Sequence, residues 1–194
     1  MGSEQSVNNY NTYFVDASDY DDYSNADPTS YFRNISLRLF AAEPRRMLGE
    51  HAKFKELCLE NDDPEAHFIE GILQYFIHKE KHTGLFHLCQ SATANYENSV
   101  YLYGLLRLAK GNYITGKRYL DRLQWKEKLS TSDHFWERIK YSLREIPVPM
   151  KRAYYINMVN LQPRTNCHPD NMAVVCKNCY YFKRLEKFVE FATN

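Results

Sequence analysis

Two cysteines three positions apart, Cys176 and Cys179, are the residues of this sequence best suited to chemistry. Thiolates at C-x-x-C spacing can grip one tetrahedral ion from a single tight turn. Cys167 and His168 lie just upstream and would raise the ligand count to four, a set that suits zinc. Two other readings stay open at this point. The thiols could be small buried or free side chains, or a redox pair, although a thioredoxin-type pair needs a βαβ setting that the surrounding pattern lacks. The adjacency of Cys167 and His168 works against the metal reading, because neighbouring side chains ordinarily point apart.

Other candidates fit plainer roles. Cys58 and Cys89 fall on apolar helical stripes and read as small core residues. His67, His78, His82 and His87 crowd one stretch, but a helix break between His78 and His82 makes those two surface residues rather than ligands. Met1-Gly2-Ser3-Glu4-Gln5-Ser6 fits a short myristoylation pattern, followed by an acidic segment that opposes an anionic membrane surface. No phosphate loop, nucleophile elbow or metalloprotease motif occurs, so the expectation is a protein that is not an enzyme and needs no cofactor beyond the zinc option.

Composition narrows the class. The chain of 194 residues carries 25 basic and 24 acidic residues. Six of the acids (Glu4, Asp16, Asp19, Asp21, Asp22 and Asp27) lie in residues 1–32, where there is no Lys or Arg. The remainder holds 25 basic against 18 acidic residues, about +7, too mild to mark a nucleic-acid binder. No apolar run is long enough to span a membrane. The first residues lack a signal-peptide pattern, and five cysteines in no framework point to a reducing compartment, cytoplasm or nucleus.

The elements that would position these residues read as helices. Residues 1–30, rich in Asn, Ser, Asp and Tyr, are expected to be a disordered tail. Thr29 or Ser30 caps an expected helix from Tyr31 to about Ala42, and Pro44 opens another to about Leu59. Asp63 and Pro64 begin a helix with Ile69, Ile72, Leu73 and Phe76 on one face, and a second helix, about 83–94, carries Leu85, Leu88 and Ala92. The first pattern then returns 33 positions later. Phe68, Ile69, Gly71, Ile72 and Leu73 become Tyr101, Leu102, Gly104, Leu105 and Leu106.

A recurrence near 33 residues with two helices per unit predicts an all-α helix-turn-helix repeat array. The repeats span about 64–96 and 97–129, within a repeat domain of residues 31–146. Ala66, Gly71, Leu88, Tyr101 and Gly104 are the structural repeat positions. A further helix is capped at Ser132 or Asp133, residues 150–175 are expected to be irregular, and a last helix spans about 179–192. The segment 147–194 thus holds the cysteines and a closing helix.

Residues 61–76 (NDDPEAHFIEGILQYF) and 83–111 (TGLFHLCQSATANYENSVYLYGLLRLAKG) resemble the Sel1/tetratricopeptide-like domain of a family of plant F-box proteins. Asn61, Pro64, Ala66, Gly71, Tyr75, Gly84, Leu88, Tyr101, Gly104 and Gly111 carry the likeness. Cys176 and Cys179 fall at cysteine positions of the family's closing motif, and the resemblance covers about residues 45–194. It implies a substrate-recognition domain that binds a protein partner and is linked to ubiquitin ligase complexes. An F-box is not recognisable in residues 1–44, so adaptor binding is not expected from them. The alternative reading is a zinc-stabilised nucleic-acid-binding protein that uses Lys183 and Arg184.

Overall fold

The computed structural model describes residues 27–126, 129–163, 167–168 and 174–193. The expected tail and Gly2 fall largely or wholly outside these residues. Among the described residues every regular element is helical. Helix α1 (Pro28–Asn34) is capped by Asp27, whose carboxylate accepts from the Thr29 N–H at 3.2 Å, not by Thr29 or Ser30. The expected helix 31–42 is broken, with α2 confined to Arg38–Ala42. The break has a tertiary cause: the Leu37 N–H donates to the carboxylate of Glu65. The next expected helix also divides, into a 3-10 turn (Pro44–Leu48) and α3 (Ala52–Glu60), around Gly49.

The repeats follow. Helix α4 (Pro64–Ile72) starts where the Asp63 carboxylate accepts from the Ala66 N–H at 2.7 Å, with proline in the first turn. It runs into a π-helical turn (Leu73–Ile77), closed by His78 N–H donating to the Leu73 carbonyl at 3.0 Å. Helix α5 (Lys81–Thr93) returns antiparallel, and α6 (Glu97–Ala109) with α7 (Tyr113–Asp121) repeats the hairpin. The turns repeat too. Asp62 and Asn95, 33 apart, and Lys79 and Gly111, 32 apart, all have positive φ. Bonds from Asp63 N–H to Cys58, Tyr96 N–H to Ser91 and Asn112 N–H to Arg107, at 2.9–3.1 Å, close three of the helix ends in Schellman fashion.

Glycines set the distance within each hairpin. A methyl group on Gly71 would lie 2.6 Å from Leu88 Cγ, and one on Gly84 would lie 2.6 Å from the backbone nitrogen of Tyr75. In the second hairpin, Gly104 meets Leu120 and Gly116 meets Leu108. Each glycine thus lies four residues before the residue that meets the partner's glycine, Leu88, Leu108 and Leu120 by their side chains and Tyr75 by its backbone and Cβ. A buried hydroxyl chain joins the two units: Ser99 donates to Ser91, and Ser91 to the Pro64 carbonyl, each at 2.6 Å.

Helix α8 (Leu129–Leu143) turns Phe135, Trp136, Ile139 and Leu143 inward. It begins before Ser132 and Asp133, so these are not its cap. Residues 150–175 are not all irregular, because α9 (Arg152–Val159) lies among them. Packing holds this helix. Tyr154 is buried with its hydroxyl 2.9 Å from that of Tyr75, and Asn157 donates to the Ala109 carbonyl at the end of α6. Helix α10 (Tyr180–Thr193) packs on α6 and α9.

Two expected outcomes follow from this packing. Alanine favours a helix over glycine by about 1 kcal/mol. At position 84, however, its methyl would strike backbone, which cannot rotate away. Gly84→Ala should therefore destabilise the chain by about 1–2 kcal/mol in urea unfolding; a gain in stability would refute the contact. Separately, His67 and His87 face each other across α4 and α5 with Nδ1 atoms 2.9 Å apart. Burial holds both below the usual imidazole value of 6.5. The folded chain therefore favours neutral rings, so their contribution is whole above about pH 6.5 and is lost as pH falls through the depressed values. The melting temperature should fall between about pH 7 and 5 more steeply in the parent chain than in a His67→Gln/His87→Gln variant.

Candidate functional site

The C-terminal cluster is built by two short pieces of chain. Cys176 and Cys179 bracket the turn that opens α10, while Cys167 and His168 approach after α9. The fold brings all four together, their ligand atoms lying within 4.8 Å of one another. Cys167 Sγ is 3.0 Å from Cys176 Sγ and 3.4 Å from His168 Nδ1. Cys179 Sγ is 3.9 Å from both Cys176 Sγ and His168 Nδ1. His168 has φ of 49°, and this left-handed turn lets adjacent side chains converge where extended backbone would splay them. The Cys167 hydrogen bond and the N–H groups of Asn178 and Cys179 all favour the thiolate of Cys176. The N–H of Cys176 itself points at Cys179 Sγ from 3.3 Å.

The remaining cysteines and histidines stay apart from this cluster. Cys58 is fully buried in the core, where desolvation pushes its thiol up to about 12, and Cys89 sits 3.6 Å from the Tyr119 hydroxyl. His78 and His82 are exposed, whereas His67 is paired with His87. The structural repeat positions Ala66, Gly71, Leu88, Tyr101 and Gly104 are all buried, and Gly71 and Leu88 are in direct contact.

Lys183 and Arg184, the cations on which a nucleic-acid reading rests, point inward. Lys183 is 2 % exposed and donates to the carbonyls of His168 and Val174 at 2.6 and 2.8 Å. Arg184 is 0 % exposed, pairs with Asp133 and lies beside the Tyr101 and Tyr180 rings. Neither guanidinium nor ammonium is presented to a phosphate backbone. Sequence reasoning missed these inward roles because long cations are ordinarily surface residues. Next to them Tyr180 stacks on Trp125, with ring centroids 3.9 Å apart.

A second candidate is a groove of about 600 Å³ between α2, the start of α4, the start of α6 and α8. Arg38, Glu65, Tyr96, Asn98, Arg138 and Tyr141 line it, mixing both signs of charge with aromatic edges. No motif marks it in the sequence, because its wall is drawn from four separate elements.

Burial opposes the charge on Asp133, yet hydrogen bonds from Lys187 and Arg184 hold its carboxyl below the usual range. Removing it leaves a buried guanidinium without its counter-ion, a loss worth about 3–5 kcal/mol when both partners are buried. Asp133 is partly solvated, so Asp133→Ala should cost about 2–3 kcal/mol. Urea unfolding checks this, and a loss within error of zero would contradict the pairing.

Comparison with known proteins places these features in context. Residues 38–144 match the family described as plant tetratrico peptide repeats. An Arabidopsis thaliana protein named F-box protein At2g35280 is 28 % identical over 102 residues, 53 % of this chain and 62 % of its own length. Another from the same plant, putative F-box protein At1g67623, is 29 % identical over 96 residues, 49 % of this chain and 32 % of its own. The chain thus spans less than two thirds of either relative. No solved structure matches it. The 33-residue recurrence, the paired hairpins and a match covering more than half of the chain lead to one assignment: this protein belongs to the plant tetratrico peptide repeat family.

Proposed function

We propose that this chain is a non-catalytic recognition module that binds a protein client, as the substrate-recognition part of an F-box protein does, in the setting of ubiquitin ligase complexes. The observation that carries the proposal is that one chain holds both the repeat array and stretches of 102 and 96 residues alike in F-box-named relatives. Repeat arrays use stacked helix pairs as extended binding surfaces. The mixed-charge groove between α2, α6 and α8 is the recognition face in this proposal. Its Tyr and Arg side chains are types that supply much of the energy at protein interfaces. Free thiols throughout the described residues suit the reducing cytoplasm or nucleus.

The test is proximity labelling in plant cells with the tagged full chain, scored for the ligase adaptor and for client proteins. An Arg38→Glu/Arg138→Glu variant supplies the comparison, with circular dichroism to confirm that it is folded. Client labelling should fall about tenfold or more in the variant. A client set that survives both charge reversals would overturn the groove assignment. A labelled set without the adaptor would remove the ligase link.

A further inference from the structure

We infer that Cys167, His168, Cys176 and Cys179 form a closed, structural zinc site that clamps the segment after α9 onto the start of α10. The inference is independent of the recognition function. Its first support is spacing. Zinc binds thiolate sulfur at about 2.3 Å and imidazole nitrogen at about 2.0–2.1 Å. In a tetrahedron those bonds place sulfurs about 3.8 Å apart and sulfur and nitrogen about 3.5 Å apart. Four of the six separations, at 3.0–3.9 Å, bracket these edges, and all six lie within 4.8 Å.

The surroundings fit the same ion. Three thiolates and a neutral imidazole around a divalent cation leave one net negative charge. Lys183, almost wholly buried, is anchored to the His168 carbonyl beside the cluster and supplies one positive charge there. It also grips the Val174 carbonyl, so a single ammonium ties both approaches to the site to α10. Backbone N–H groups of Cys176 and Asn178 point at sulfur from 3.3 and 3.4 Å, the kind of outer-shell donation that steadies ligating thiolates. Three sulfurs and one nitrogen favour zinc over the hard cations that prefer oxygen. Four protein ligands leave no open position, so the ion is structural rather than catalytic.

The position says what the clamp does. Cys179 is fully buried and immediately precedes Tyr180, whose ring stacks on Trp125. Fixing Cys179 from the far side therefore fixes the first turn of α10 against the second repeat.

The full chain, produced in zinc-containing medium and purified under reducing conditions without chelator, should carry about one zinc per chain by elemental analysis. Chelation should lower its melting temperature, and zinc should restore it. Cobalt(II) added to the chelated protein should give the intense visible absorption of tetrahedral thiolate coordination. Cys176→Ser should lose stoichiometric zinc, whereas Cys89→Ala should keep it. The inference is overturned by parent chain that contains no stoichiometric zinc and gives no tetrahedral cobalt spectrum. It is equally overturned by a Cys167–Cys176 disulfide that persists in that preparation. Both decisive measurements use the parent chain, so a variant that fails to fold does not decide the matter.

Discussion

Beyond its first turn helix α6 has almost no face for water, and the rest of the structure is arranged around that constraint. Ten of its thirteen residues are buried, from Ser99 through Leu106 without interruption and then Leu108 and Ala109. A helix that is apolar on every side has to be covered on every side. Helices α5 and α7 cover two flanks as its repeat partners, and α8, α9 and α10 cover the others. The two repeats are therefore not a free-standing array with appended segments. They are the inner part of one core, and the C-terminal third is its outer wall.

The glycine contacts show how two helices come close enough for that core to close. In each hairpin the exchange is reciprocal: a glycine on the first helix receives a leucine of the second, and a glycine on the second receives the large residue four positions beyond the first glycine. One such contact would let the helices pivot. Two, separated by about one turn, fix their separation and relative rotation together. The buried Ser99–Ser91–Pro64 chain then sets the register between units by hydrogen bonding rather than by shape.

These relationships were legible in the sequence to different depths. The recurrence of Gly71 and Gly104 at 33 residues exposed the repeat, because close helix contact leaves no alternative residue. Asp63 and Pro64 announced α4 because capping is a local interaction. Helix α9 carried no such announcement. No side chain caps it, its apolar residues follow no clean stripe, and it is held by Tyr154 and Asn157 reaching elements far away in sequence. Arg184 and Lys183 misled for a related reason: their burial depends on Asp133 and on backbone carbonyls that only the folded chain brings near. The four-residue cluster was visible as residue types, but its convergence was not, since the left-handed backbone at His168 has no mark in the sequence.

The inward reach of Arg184 has a genetic consequence. Helix α10 places this guanidinium against Tyr101, inside the second repeat, and Tyr180 against Trp125. A nonsense or frameshift allele between codons 175 and 180 would leave every repeat residue intact and still strip α6 of one wall. Asp133 and the apolar surface around Tyr101 would then face water. Such an allele belongs with those that break the repeats themselves, because α10 is part of their interior.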